Sequence, residues 1–458
     1  MSPADHALAL LADPTALHHA DALADAADHA DEVQRGAGLT ALFAGVVEPL
    51  NDSFRPAGRD AYATIFGHIV WRVCARDPAL AAALAGFGIT DSAALMARYQ
   101  AARRAVAVVP AEVRRVVLLS RVTIGADVLL TTVALQRLHQ RYPQAELVVL
   151  GDGKLTGLIG GLPGVRVRPL AYGRRGPLRE RLSAWLTVLE AVRAEAPDLV
   201  VAPDSRLDQL GILPVTTEPD RYLLWENTLP EDRPAESLAA SLDRWLVARL
   251  GLSAGPRVLP CLAFDGPTAA VADRLKAAFG PAPLVAVKLD HGGNPAKALP
   301  RAAEVQILAA LRQRGWRILL DRGFGPAELA SSDALLAEAG WTAVDLDDSG
   351  KGLGQAVADL APGTLAAAPV IRVHGSIGGW AAALAACRLA ISYDSVGHHL
   401  AAALGVPLVT AFTGHPDERF LAAWHPQGAS PVTLVAIATA AKDDPAQWQR
   451  VIAALPSA

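Results

Sequence analysis

ISYDSVGHHLAAALGVPLVTAF, residues 391–412, carries the reading of the fold. An apolar run stops at Tyr393, and Asp394, Ser395, Gly397, His398 and His399 crowd the turn that follows. Leu400 to Leu404 then reads as an Ala/Leu helix, which Gly405 and Pro407 end before a second β-rich run from Pro407 to Phe412. The stretch is a βαβ half-unit with polar groups at the carboxyl end of its strand. Open α/β sheets bind ligands outside that edge, where free N–H groups and the helix dipole favour an anion. Phosphate is the expected ligand group.

Outward from this unit the same texture repeats. VVLLSRV (116–122), ELVVLG (146–151) and DLVVAP (198–203) are short β-branched runs, separated by helical stretches from Leu129 to Arg141 and from Leu178 to Glu195. A second set, PLVAVKL (283–289), WRILLD (316–321), LAISYD (389–394) and PLVTAF (407–412), follows a Pro/Gly-rich passage from Leu252 to Pro267. Strands alternating with helices predict parallel sheets with right-handed crossovers. The fold class expected is α/β, two Rossmann-like domains facing a cleft, joined near residue 260. Residues 1–110 differ: rich in Ala, Asp, His and Leu at helical spacing, they predict an all-helical module closed near Val108 to Pro110. The boundaries read as 1–110, 111–258 and 259–458, with the last helix, Ala446 to Leu455, packing back on the first of the two sheet domains.

Composition narrows the function classes. With 458 residues, roughly three domains by length, a sizeable core is available. A net charge of −4, with 19% charged residues, argues against a nucleic-acid surface and for small or neutral partners. Cys74, Cys261 and Cys387 are odd in number and far apart, which speaks for reduced thiols over a disulfide framework or a cysteine zinc site. The start, MSPADHALALLADP, has acids where a signal peptide needs a basic flank, and no apolar run reaches about 18 residues. No transmembrane segment and a cytoplasmic location are expected.

Four stretches together resemble glycosyltransferase family 9, the heptosyltransferases with the two-domain GT-B fold. They are RVTIGADVLLTTVALQRLHQRYPQAEL (121–147), DLVVAPDSRLDQLGIL (198–213), VKLDHGGNPAKALP (287–300) and GSIGGWAAALAACRLAISYDSVGHHLAAALGVPLVTAFTG (375–414). Their order and spacing agree with the family over about residues 114–430. The resemblance implies an inverting transferase that moves a heptose or related sugar from an ADP-linked donor to an acceptor nucleophile, with no metal and no further cofactor.

Residue by residue, Asp127 matches the family's general base, which would take the acceptor's proton; such assistance is worth about 10² to 10⁴ in rate. The plainer reading of Asp127 is a cap on a helix starting near Val128. Thr131 lies on the same helix and faces the acceptor side in this reading. Lys297 matches the lysine that meets the nucleotide diphosphate, against the plain reading of an exposed loop lysine. Asp394 and Ser395 match the donor-binding Asp-Ser/Thr pair, and His399 the family histidine, with a histidine satisfied inside a helix start as its alternative. Val396 stands where the family has glycine, and Gly397 follows one place later. A β-branched residue resists positive φ and close approach, so the turn is expected to bend differently, with His398 supplying an extra donor. Asp204, Ser205 and Arg206 end a strand on the acceptor side, with simple capping as the alternative.

Weaker signals are set aside. GDGKLTG (151–157) imitates a dinucleotide fingerprint but follows the second strand of its unit and has its third glycine one place late. Asp345-Leu346-Asp347 reads as a strand exit, and His18, Asp21, Asp25, Asp28 and His29 as a solvated helix face. The helical module is extra relative to family members that begin near the first strand. Protein-modifying relatives carry such a module with clustered cysteines for a metal, a cluster this chain lacks. Its YATIFGHIVWRV (62–73) predicts a buried helix, and the module also offers an oligomer contact. The acceptor, whether saccharide, small molecule or protein, is left open. A nucleotide-sugar epimerase and a nucleotide-binding protein without catalysis are the alternative functions.

Overall fold

The computed structural model describes residues 1–104, 109–173, 175–290 and 294–458. Val108, expected to close the helical module, and residues 291–293 of the lysine loop lie outside that set. The chain divides into two compact units. One comprises Met1–Thr123, Ala134–Gly153 and Gly164–Arg257, the other Ile124–Val133, Lys154–Pro163 and Val258–Ala458.

The first unit holds a parallel sheet in the order β3-β2-β1-β4-β5, with β1 at Arg115–Leu119, β2 at Glu146–Gly151, β3 at Val165–Pro169, β4 at Leu199–Pro203 and β5 at Tyr222–Trp225. Val117 of β1 sits between Val148 of β2 and Val200 of β4. Those strands are buried on both faces, which is why their sequences run apolar without alternation. Edge strand β3 escaped the sequence reading because its VRVRP interleaves arginines; Arg166 and Arg168 pair with Glu195 at 2.7 and 2.8 Å.

The helical module is built as expected and shares its core with this sheet. Ser2 and Asp5 form a capping box at Pro3–Ala12, and Asp31 and Asp77 cap Glu32–Leu42 and Pro78–Ala85. The helix Pro56–Cys74 buries Tyr62, Phe66, Ile69 and Val70, which join Trp185, Val117 and Val148 in one continuous apolar cluster. Each side chain of that size contributes about 1.5–3 kcal/mol on burial, so the module and the sheet stabilise one another. Asp21 and Asp25 are taken up by His68, Arg72 and Arg76, in keeping with a solvated helix face.

The second unit holds a parallel sheet in the order β12-β11-β10-β6-β7-β9-β8. Its strands are β6 Leu284–Lys288, β7 Arg317–Asp321, β8 Val344–Asp347, β9 Val370–His374, β10 Leu389–Tyr393, β11 Leu408–Phe412 and β12 Val432–Ala436. From β6 the chain proceeds outward on one side to β7 and returns on the other with β10, so the topological switch point lies between β6 and β10. The last helix, Pro445–Ala453, which the sequence reading has returning to the first sheet domain, packs into this unit's own core through Trp448 and Val451, with Leu455 following just beyond its end. Trp316 Nε1 donates to the Pro456 carbonyl at 2.9 Å, and Arg314 donates to the carbonyls of Ile452 and Leu455. These bonds tie the last turn of the helix, at Ile452, and the residues just beyond it to the same unit.

Among the described residues no helix is long and apolar enough to cross a membrane. Cys74, Cys261 and Cys387 are free thiols, and burial pushes the Cys74 thiol up to about 12.

Candidate active site

At the switch point of the second sheet, the turn after β10 meets the loop after β6. Ser395 caps the helix Val396–Ala403 in extended conformation, and its Oγ accepts from the Gly397 amide at 3.4 Å. Val396 is the first helical residue and has ordinary negative φ, so valine is not strained there. The glycine is needed one place later. A Cβ on Gly397 would lie 2.7 Å from Ser392 Oγ and 2.8 Å from Lys288 Cδ, because the helix start presses against β6.

The Asp394 carboxylate is nearly buried between two cations or potential cations. Lys297 Nζ lies 2.5 Å from its Oδ2 and donates to its carbonyl at 3.2 Å. His398 Nε2 stands 3.6 Å from Oδ1. Asn294 caps the short 3₁₀ turn Pro295–Lys297 that presents the lysine. A third segment closes on this turn: Thr413 Oγ1 donates to the Ala296 carbonyl at 3.3 Å, and Gly414, at φ +75°, packs so closely that a Cβ would fall 3.0 Å from Ala296 and 3.2 Å from Lys297. The loops after β6, β10 and β11 therefore converge, as expected for the carboxyl edge of an open sheet.

His398 and His399 are both buried, with ring centroids 4.0 Å apart and edge-to-face. Burial, reinforced by Lys297, holds the His398 imidazole down to about 3, and burial with His398 beside it keeps His399 well below its ordinary value although Asp394 pulls the other way. Both rings are thus neutral near pH 7. His399 Nδ1 and His398 Nε2 are buried without a hydrogen-bond partner among the described residues. Such groups can donate to, or accept from, a bound polar ligand at little further desolvation cost.

Asp127 belongs to the same compact unit as this turn. The helix begins at Ile124, four residues before the start near Val128 that the sequence suggested, and Asp127 opens a five-residue π-helical turn, Asp127–Thr131, within it. Its position inside the helix removes the N-cap reading. Asp127 is buried and accepts from Thr131 Oγ1 at 2.7 Å. Gly125, two residues before it, packs on the turn: a Cβ there would lie 3.1 Å from His399 Cδ2 and 3.4 Å from Val396 Cα. π-turns of this kind occur often at functional sites.

Asp204, Ser205 and Arg206 lie in the other unit, at the carboxyl end of β4. Asp204, at φ +54°, is fully buried and ion-paired with Arg59, at 2.9 Å, and with Arg121. Ser205 Oγ donates to the Ser120 carbonyl at 2.6 Å. Both side chains are occupied in holding the loop, whereas Arg206 is half-exposed and has no carboxylate partner among the described residues.

Sequence reasoning passed over Lys288, which ends β6. It is buried, pairs with Asp290 at 2.8 Å and with Asp321, and these carboxylates raise its ammonium above the ordinary lysine value against the opposing effect of burial. A charged residue closing an otherwise apolar strand was the available signal. Beside it, at the carboxyl ends of β6 and β7, a cavity of about 250 Å³ is lined by Asp290, Arg301, Glu304, Asp321 and Ser331, among others. The set-aside Asp345 is bound by Arg372 at 2.6 Å. No group of three or more His, Cys, Asp or Glu among the described residues is arranged to hold a metal.

Comparison with known proteins finds likeness to one family over part of the chain and in fold. Residues 374–444, which include the Asp394 turn, match the family model "Glycosyltransferase family 9 (heptosyltransferase)". The crystal structure of the glycosyl transferase family 9 from Veillonella parvula superposes with a TM-score of 0.52 at 16% identity, covering 73% of this chain and 88% of that one. The E. coli ADP-heptose lps heptosyltransferase II gives a TM-score of 0.48 at 16% identity over 74% of this chain and 96% of its own. The E. coli heptosyltransferase WaaC, with ADP-2-deoxy-2-fluoro heptose, gives 0.47 at 18% identity over 70% and 92%. No curated protein sequence matches the chain. The segment around the Asp394 turn is thus similar to glycosyltransferase family 9, and the parallel sheets of the chain share the fold of the Veillonella parvula structure.

Proposed function

We propose that the protein transfers a heptose or related sugar, with inversion, from an ADP-linked donor to an acceptor hydroxyl or amine, without a metal. Asp127 takes the acceptor's proton as the nucleophile attacks the anomeric carbon. Lys297, the Ser395-capped helix start and the neutral His398 and His399 receive the departing diphosphate, on which negative charge develops. The observation that carries the reading is the packing of Gly125, two residues before Asp127, onto Val396 and His399 of the Asp394 turn. It brings the proposed base's own helix to the proposed phosphate cradle. The cavity beside Lys288 is assigned to the nucleoside, whose ribose hydroxyls suit the carboxylates of Asp290 and Asp321. The three unpaired thiols are in keeping with a cytoplasmic setting.

A thermal-shift screen across nucleoside diphosphates tests the donor half. A ligand at 100 times its Kd stabilises by about 2.7 kcal/mol, so ADP should stand out from UDP and GDP. Incubation with ADP-heptose then tests the chemistry. ADP release that depends on added acceptor supports transfer; a changed sugar on an intact diphosphate would make the protein an epimerase, and absence of any nucleotide-dependent shift would sink the reading.

A further inference from the structure

The loop after β4 is strained and is held from the helical module. Asp204, Gln209 and Leu210 all adopt the left-handed region, at φ +54°, +53° and +59°, with Gly211 following at +90°. Each non-glycine residue there costs of order 1–3 kcal/mol, and such strain persists only where surroundings over-determine it. The surroundings are helix Pro56–Cys74: Arg59 donates to the Leu210 carbonyl at 3.2 Å, and Tyr62 Oη donates to the Gln209 carbonyl at 3.2 Å. Gln209 in turn donates to Tyr172 Oη at 3.0 Å, and Tyr172 Oη to the Arg206 carbonyl at 3.0 Å.

What this arrangement shapes is a cavity of about 200 Å³ within the first unit, between the module's Phe43 and Phe66 and the sheet domain's Tyr172, Arg181, Arg206 and Gln209. Arg181 reaches it over the Phe43 ring, 5.4 Å from the centroid, and among the described residues spends only Nε on a protein acceptor, the Gly176 carbonyl at 3.1 Å. Burial lowers the Arg181 guanidinium below its ordinary value, the mark of a cation short of a counter-ion. Arg206 has no carboxylate partner among the described residues. Glu48 is the one carboxylate on the rim among the described residues. Two guanidinium groups with unspent donors suit a carboxylate or phosphate, which arginine binds in a planar fork, and aromatic walls suit the apolar face of a sugar ring. The volume fits an anionic group with about one ring, below the roughly 300 Å³ at which whole-ligand sites begin.

We infer that this cavity binds an anionic sugar, one carrying a phosphate or a carboxylate, as the charged end of the acceptor, so that the helical module serves acceptor recognition. The word acceptor rests on the transferase reading; the binding of an anionic sugar does not.

Calorimetry on the full chain, with glucose 6-phosphate, glucuronate and glucose as probes, tests the inference. The phosphate or the carboxylate sugar should bind roughly 10-fold or more tightly than glucose, as one or two charge-assisted bonds require. Which of the two binds better identifies the anion. Arg206→Gln should remove most of that preference and Glu48→Gln should strengthen it, while affinity for ADP, held by residues of the other unit, keeps its wild-type value in both. Equal affinity for charged and neutral sugars, or an unchanged preference in Arg206→Gln, would overturn the inference. Failure of ADP to bind in the wild type would instead strike the transferase reading and leave the sugar preference standing.

Discussion

Lys297 Nζ lies 2.5 Å from Asp394 Oδ2 and bonds the same residue's carbonyl, so the cation proposed to meet the diphosphate is already oriented by the turn that the diphosphate would approach. Charge-assisted bonds of this kind are worth about 1.5–3 kcal/mol each. Lys297→Ala is therefore expected to weaken ADP binding by roughly 10- to 150-fold, read by calorimetry. An unchanged Kd would remove Lys297 from the site. The same variant strips Asp394 of its ion pair and should lower thermal stability as well, which Lys297→Arg should restore.

Asp127→Asn keeps an oxygen for Thr131 Oγ1 but cannot take a proton. Turnover should fall by about 10² to 10⁴, the usual contribution of a positioned base, while ADP affinity and melting temperature stay near wild type. Wild-type turnover in this variant would defeat the assignment. Thr131→Val removes the donor that steadies the carboxylate and should shift the pH profile of kcat/KM, a result a purely structural role would not give.

Two neighbouring positions separate packing from conformation. Gly397→Ala places a methyl group 2.7 Å from Ser392 Oγ and 2.8 Å from Lys288 Cδ, and overpacking of this kind costs about 1–3 kcal/mol. Val396→Gly, which restores the residue usual in the resembled family, relieves no strain because Val396 already has negative φ, and glycine in a helix costs about 1 kcal/mol. Urea denaturation should show both variants destabilised, Gly397→Ala the more so. A stabilised Val396→Gly would mean that the turn is strained after all.

His398 makes stability sensitive to acid. Its imidazole is held down to about 3 when folded and returns to about 6.5 when unfolded, so below pH 6.5 the unfolded chain binds the extra proton first. The contribution is fully present above pH 6.5 and is lost at up to about 1.4 kcal/mol per pH unit as pH falls toward 3. His399, also held low by burial, adds to the slope. Glu304 works the other way: burial raises it to about 7, so its penalty grows as pH rises from about 4.5 toward 7. Denaturant midpoints between pH 4 and 8 should be flatter on the acid side in His398→Gln than in wild type, and equal slopes would refute the assignment.

Much of this was legible in the residues, for reasons that also explain what was not. The central strands read clearly because β1, β4, β6 and β10 are buried on both faces and cannot hide among polar residues. Edge strands β3 and β12 are mostly only partly buried and lose that signal. The Asp394 turn was readable because Asp, Ser, Gly and His at a strand end have few other uses. Asp204 and Ser205 looked equally functional, yet Arg59, more than 140 residues upstream, claims Asp204, and no local pattern announces an ion pair of that separation. Lys288 was hidden for the same reason, since Asp321 lies on a different strand.

The Arg59 network yields the sharpest stability ordering. Arg59 is 1% exposed and serves Asp204 at 2.9 Å, Glu226 at 3.0 Å, Asn51 at 3.1 Å and the Leu210 carbonyl. Breaking a buried ion pair from one side costs about 3–5 kcal/mol. In Arg59→Met each carboxylate keeps a second arginine, Arg121 for Asp204 and Arg103 for Glu226, so the loss should sit near the lower end. Asp204→Ala leaves Arg59 and Arg121 without the charge between them and puts at φ +54° an alanine, which tolerates the left-handed region less readily than aspartate. Asp204→Ala should therefore be the more destabilised in urea, and it should also release the Gln209–Leu210 loop, seen as faster amide exchange at residues 209–211. If Arg59→Met proves the worse, the apolar packing of helix Pro56–Cys74 and not the ion pair is what holds the module to the sheet.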